Sequence, residues 1–145
     1  DAFLRITRDQ FNRAYQFPAT PLYQEELSAV RTLVFSRAQI NFFSKAAGVV
    51  QDPANGIMVV QVIGCNGTPL TGATVVTNPP AGQVVYTVDG LPVADAVFTD
   101  ASGTAFLFNV PVGTVEVDAD YLGDSLREHS VLSEADALTT TMVQP

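Results

Sequence analysis

After Val49 the chain alternates between short apolar runs and turn residues. The alternation is clearest over residues 114–121, where apolar positions are interleaved with Glu116, Asp118 and Asp120. A period of two predicts a strand with one buried face and one wet face. Strands of this kind are predicted at 57–63, 73–77, 83–88, 96–99, 104–109, 114–121, 127–132 and 138–143. No helical pattern separates these strands, which argues against parallel βαβ units and predicts an antiparallel sandwich or barrel of about 7–8 strands.

The first fifty residues follow a different pattern. Thr20 is a candidate N-cap, Pro21 suits the first helical position, and Gly48 suits the position after the helix. Apolar side chains recur at helical spacing at Leu27, Val30, Leu33, Val34, Ala38 and Phe42. The pattern predicts a helix from about residue 21 to about residue 47, after twenty residues that form either a short helix or an extended arm. We therefore expect an N-terminal arm and helix over 1–50 and a β-sandwich domain over 51–145.

The apolar stripe of that helix, with Phe35, Phe42 and Phe43, is too large to remain in water. We expect the helix to pack on its own sandwich, and the first twenty residues to form a looser arm able to reach a neighbouring subunit. The alternative is an assembly element that becomes ordered only in an oligomer or filament.

Charge is distributed unevenly over a chain whose net charge is −8. Residues 1–50 hold six basic and four acidic side chains (6 − 4 = +2), and residues 51–145 hold one basic and eleven acidic (1 − 11 = −10). The acidic total argues against a nucleic-acid partner, because phosphates need cations. Either the split is chance, or the basic segment meets an acidic surface in the same chain or on a neighbour.

The longest apolar stretch, 57–65, has nine residues and contains Gln61, so no transmembrane helix is predicted. Cys65 is the one cysteine, which leaves no intrachain disulfide, and its apolar flank predicts a buried, inert thiol. The chain begins at Asp1 without a leader, which suggests a trimmed product.

Candidate chemistry is sparse. His129 is the one histidine and no Gly-x-Ser-x-Gly motif occurs, so we expect a wet-face residue rather than a catalytic base, and neither a zinc site nor another cofactor. Asp118 and Asp120 share a strand face, with Glu116 beside them and Asp124 in the next turn. A solvated face is the preferred interpretation, Ca²⁺ binding is the alternative, and a glycosidase carboxylate pair is disfavoured.

Aromatic residues give weak support for glycan binding, because the chain has no Trp. The tyrosines are Tyr15, Tyr23, Tyr86 and Tyr121. The phenylalanines Phe98, Phe106 and Phe108 are assigned to the core.

Two spaced motifs carry a family resemblance. The first is Gly67-Thr68-Pro69-Leu70-Thr71-Gly72-Ala73-Thr74-Val75, and the second is Thr99-Asp100-Ala101-Ser102-Gly103 followed by Asn109-Val110-Pro111-Val112-Gly113. Asp100 is expected to bind the backbone N–H two residues on. Residues 56–145 thereby resemble the carboxypeptidase regulatory-like, or transthyretin-like, β-sandwich. The joint near Gly48 also resembles secreted or lipid-anchored bacterial proteins in which a helical segment precedes such a sandwich.

The resemblance implies a non-catalytic module of a secreted or envelope protein. The enzymatic 5-hydroxyisourate hydrolases of this superfamily use several His and a C-terminal Tyr-Arg-Gly-Ser-like motif, whereas this chain has one His and ends Met142-Val143-Gln144-Pro145. The related intradiol dioxygenases need two Tyr and two His on iron. Neither activity is carried over.

The expectation is thus a mainly β, transthyretin-like sandwich preceded by a helical segment, located in the periplasm, at the cell surface or in the medium. Its expected role is structural, adhesive or in assembly, with a protein partner or self-association through the N-terminal segment. The alternative is a ligand-binding module for glycan or Ca²⁺. No catalytic, cofactor-binding or metal residue is assigned.

Overall fold

The computed structural model describes residues 3–18 and 33–145. These residues form one helix, α1 at Arg37–Ala46, and eleven strands. The first six strands are β1 (Leu4–Ile6), β2 (Arg13–Gln16), β3 (Gly56–Val62), β4 (Thr74–Asn78), β5 (Gln83–Val88) and β6 (Leu91–Val93). The remaining five are β7 (Thr104–Val110), β8 (Gly113–Tyr121), β9 (Asp124–Ser125), β10 (His129–Ser133) and β11 (Ala137–Val143).

The strands form two sheets that pack face to face. The larger has seven strands in the order β1-β2-β11-β3-β7-β5-β6, and the smaller has the order β10-β8-β4 with β9 paired to β8. Apolar side chains from both sheets meet in one buried cluster, for example Val60 and Leu107 from the large sheet and Val117 from the small one. The mainly β, sandwich-like prediction is confirmed at this level.

The last strand corrects the wholly antiparallel expectation. β11 lies between β2 and β3 and runs parallel to both. Two parallel strands that follow one another along the chain need a long crossover connection between them, usually a helix. Here many residues separate β3 from β11, and the preceding strand β10 lies in the other sheet. Because β11 enters the large sheet from the small sheet, it can run parallel or antiparallel to its neighbours. The pattern of apolar residues within each strand does not reveal which of the two directions β11 takes.

The helix begins later than predicted. Residues 33–36 are not helical, and Ser36 instead forms a β-bridge with Phe11. Ser36 is the N-cap of α1, and it forms a capping box with Gln39 in which each side chain accepts a hydrogen bond from the other residue's backbone N–H. Residues 21–32 of the predicted helix lie outside the described residues.

α1 packs on the outer face of the large sheet, as expected. Ile40 and Ala47 are buried in a second apolar cluster with Phe106 and Phe108, and the ring centroids of Phe43 and Phe106 are 5.2 Å apart. The large sheet is therefore covered on both faces where α1 lies.

Residues 4–16 do not form a loose arm. β1 pairs with β2, and β2 pairs with β11, so both strands extend the large sheet of their own chain. Ala14 and Tyr15 are buried on opposite faces of the sheet. The polar neighbours of these two residues, Arg13 and Gln16, hid the period of two in the sequence. The division of the chain at residue 50 stays a prediction.

One further strand was misplaced. Residues 96–99 are not a strand. On its side away from β7, β5 pairs instead with β6, which begins directly after the turn Asp89-Gly90. Both turn residues have positive φ, 52° and 79°, as a tight hairpin turn requires.

Among the described residues, α1 is too short to cross a membrane.

Candidate binding surfaces

Two arginines of the N-terminal segment bind one acidic loop. Arg13 lies 3.4 Å from Glu134 and donates to the Ala135 carbonyl, and Arg37 lies 2.9 Å from Asp136. The Tyr15 hydroxyl donates to Glu134 at 2.7 Å. Burial raises the pKa of Tyr15 above its usual value, and Glu134 raises it further. The basic segment thus meets acidic residues of its own chain, although such exposed ion pairs contribute only about 0–1 kcal/mol each.

Beside this loop lies a small polar depression, the Asn12 cavity, of about 160 Å³. It is lined by Asn12, Arg37, Ile40, Asn41, Gln51, Pro53, Ile57 and Asp136. Asn12 is only 5% exposed, and its Nδ2 makes one long hydrogen bond, 3.5 Å, to the Asp136 carbonyl. Among the described residues its Oδ1 has no hydrogen-bond partner.

The walls of the Asn12 cavity are held by backbone contacts. The Asn12 N–H donates to the Phe35 carbonyl, and the Arg37 N–H donates to the Gln10 carbonyl. Gln51 donates through Nε2 to carbonyls of the 52–56 turn, and the Asp136 N–H donates to Asn55. Several separate segments therefore position the cavity, which explains why spacing along the sequence gave no signal for it.

A wider groove of about 450 Å³ lies on the outer face of the large sheet. It is lined by Gln16, Phe17, Leu33, Val59, Gln61, Thr104, Thr140, Thr141 and Met142. None of these side chains is charged, so the groove offers a ligand fewer strong polar contacts than the Asn12 cavity does.

Exposed apolar side chains recur along the chain from the end of β5, through the edge strand β6, to the segment that follows β6. We call this set the apolar ledge, and it consists of Val88, Leu91, Val93, Val97 and Phe98. These side chains are between 36% and 67% exposed. The prediction that Phe98 is core is therefore wrong, whereas Phe106 and Phe108 are buried as expected. Asp89 and Asp95 flank the apolar ledge and are exposed.

The acidic residues of β8 lie on the outer face of the small sheet. Asp118 accepts hydrogen bonds from the Ala119 N–H and the Ser125 hydroxyl, both at 2.7 Å, and Glu116 accepts one from Asn78 at 3.0 Å. Within residues 3–18 and 33–145, no three His, Cys, Asp or Glu side chains converge as metal ligands would.

His129 lies between the sheets rather than on the wet face. It is half-buried, and its Nε2 contacts the Thr141 hydroxyl of β11. Burial lowers the pKa of His129 below its usual value, and the charge of Arg127 lowers it further. The contact between His129 and Thr141 therefore joins the small sheet to the large sheet.

The remaining sequence candidates are placed as follows. Cys65 is exposed, so its predicted burial is wrong, because it lies in the polar turn after β3. Tyr15 and Tyr86 are buried, which removes them as sugar-stacking surfaces, and Tyr23 lies outside the described residues. Asp100 does accept from the Ser102 N–H, at 2.9 Å, as its motif predicted.

Comparison with known proteins adds no relative: no family model matches the chain, and no curated protein matches it. The transthyretin-like resemblance of residues 56–145 therefore stays a prediction, and the binding surfaces are interpreted from their own chemistry.

Proposed function

We propose that this chain is a non-catalytic β-sandwich module that acts outside the cytoplasm in assembly or adhesion by docking another protein chain on the apolar ledge. The observation that carries the proposal is the apolar ledge itself. Large apolar side chains grouped on a protein surface are typical of protein–protein contact sites. The extracytoplasmic part of the proposal rests on the motifs around Gly67 and Asp100.

Docking on the apolar ledge rests on side chains rather than on addition of a strand. Pro92 occupies the centre of β6 and has no N–H to donate to a neighbouring strand. A proline on an edge strand protects against uncontrolled strand pairing. The contact we propose is therefore a packing of apolar surfaces with charged residues around it.

Charge favours a second copy of the chain as the partner. Among the described residues, the strand at the opposite edge of the large sheet is β1, which carries exposed Arg5 and is followed by exposed Arg8, with half-exposed Phe3 just before its start. The apolar ledge is flanked by Asp89 and Asp95. Packing of the β1 edge of one copy against the apolar ledge of the next joins apolar to apolar surface and opposite charges. Such a head-to-tail contact generates a ring or an open filament.

Sedimentation velocity of the full chain over a range of concentrations tests this proposal. We expect association that weakens with salt, and loss of association in Phe98→Ser. The matched control is Leu122→Ser, which removes an exposed apolar side chain outside the apolar ledge. A wild-type chain that stays monomeric, or a Phe98→Ser variant that associates like the wild type, overturns the proposal.

Exchange of charges tests the partner edge. Arg5→Glu and Asp95→Lys should each weaken association alone, because each places like charges across the contact. In a mixture, the β1 edge of the Arg5→Glu variant can pack against the apolar ledge of the Asp95→Lys variant, and this contact again joins opposite charges. Equal association of each variant and the mixture would contradict the head-to-tail arrangement.

A further inference from the structure

We propose that the Asn12 cavity binds a neutral ligand with adjacent hydroxyl groups, such as one sugar residue of a glycan. This inference is independent of the apolar ledge and of self-association. It begins from the buried Oδ1 of Asn12, which has no hydrogen-bond partner among the described residues. A buried acceptor without a donor costs free energy, so a ligand that donates a hydrogen bond there is stabilised.

The charges beside Asn12 select among ligand classes. The Arg37 guanidinium donates to the Asp136 carboxylate at 2.9 Å, so the cavity has a cation and an anion side by side. A metal ion or ammonium group would be repelled by Arg37. A phosphate or carboxylate would be repelled by Asp136, and a carboxylate would in addition present only acceptors to the Asn12 Oδ1.

A hydroxyl group satisfies both requirements, because it donates one hydrogen bond and accepts others. One hydroxyl can donate to the Asn12 Oδ1, and its neighbour can exchange hydrogen bonds with the Arg37–Asp136 pair. Asn41 also lines the cavity and supplies a further amide. The donor set therefore fits a diol better than it fits an ion.

Size and the apolar wall agree with this assignment. About 160 Å³ is well above the roughly 10–15 Å³ that one bridging water needs, so the depression has room for a ligand larger than a single water. Ile40, Pro53 and Ile57 provide an apolar wall against which the C–H face of a ring can pack. α1 and β3 carry Ile40 and Ile57, so regular secondary structure holds two of these three residues.

The test is a titration of the full chain that is monitored by ¹H–¹⁵N NMR. The signals observed are the side-chain amides that line the cavity, those of Asn12, Asn41 and Gln51. The probes are the methyl glycosides of glucose, mannose and galactose, with CaCl₂, inorganic phosphate and acetamide as the competing ligand classes. We expect at least one glycoside to shift the Asn12 amide signals saturably at millimolar concentration. We expect Asn12→Leu, which removes the acceptor at similar volume, to weaken that binding at least about tenfold, measured at the Asn41 and Gln51 side-chain amides that also line the cavity.

The matched control is Asn66→Leu, which makes the same substitution at an exposed asparagine beyond the other end of β3. It should bind like the wild type. Arg37→Met is the second variant, because this side chain is 61% exposed and its replacement leaves the core intact. It should also weaken glycoside binding, even if Asn12→Leu fails to fold.

Three results would overturn the proposal. The first is the absence of saturable shifts with all three glycosides. The second is stronger binding of Ca²⁺, phosphate or acetamide at the same amides, which would assign the cavity to that class. The third is glycoside binding that neither Asn12→Leu nor Arg37→Met changes, which would place the sugar elsewhere.

Discussion

Strands β3 and β8 show how differently the two sheets of this sandwich face solvent. Six of the seven residues of β3 are buried, because its inner face meets the small sheet and its outer face meets α1. In β8, buried Val115, Val117 and Ala119 alternate with more accessible acidic residues. The helix therefore makes the large sheet a middle layer, whereas the small sheet remains an outer layer with one wet face. Substitutions on the two outer faces should consequently have very different costs.

The largest expected difference follows from removing a ring under α1. Phe106 is 3% exposed on the outer face of the large sheet and packs against Phe35 and Phe43. We expect Phe106→Ala to lower the free energy of unfolding by about 3–5 kcal/mol, measured by urea denaturation. The control is Asp120→Ala on the outer face of the small sheet, which should change it by less than about 0.5 kcal/mol. Similar losses for both variants would contradict a covered large sheet.

A smaller effect is expected from weakening the covering helix itself. Ser36→Ala removes the N-cap hydrogen bond to the Gln39 N–H and should destabilise the protein by about 1 kcal/mol. Ser130→Ala, an exposed position on the small sheet, provides the control. Urea midpoints that do not separate the two variants would show that the cap of α1 does not contribute to stability.

These differences also explain how much of the molecule the sequence predicted. The strand at 114–121 was readable because one face is wet, so its period of two is visible. β2 was missed because Ala14 and Tyr15 are both buried, on opposite faces, and their neighbours are polar. The start of α1 was missed, although the Ser36–Gln39 capping box was present in the sequence, because the apolar spacing continued upstream. The Asn12 cavity depends on contacts between residues more than a hundred positions apart, such as Asn12 and Asp136, which periodicity does not report.

The contact between the sheets at His129 predicts a dependence of stability on pH. Burial holds the pKa of His129 below its usual value of 6.5, so the unfolded chain binds a proton more readily than the folded one. Stability should therefore fall as the pH is lowered through 6.5, and remain unaffected by this group at higher pH. In His129→Gln the fall between pH 7 and pH 5 should be shallower, as measured by urea midpoints at several pH values. An unchanged slope would show that His129 is not the responsible group.

The smallest effect is expected from Ca²⁺ at the acidic face of β8. Same-face side chains on a strand are about 6.8 Å apart, whereas Ca²⁺ needs several oxygens at about 2.3–2.6 Å from one point. Both oxygens of Asp118 already accept hydrogen bonds, from Ala119 and Ser125, and Glu116 is bound by Asn78. Calorimetric titration of the full chain with CaCl₂ should therefore give no saturable heat, in wild type and in Asp118→Asn alike. Saturable heat that disappears in Asp118→Asn would establish a Ca²⁺ site on the small sheet. The outer face of the small sheet would then be a functional surface as well, and the two sheets would no longer differ in this respect.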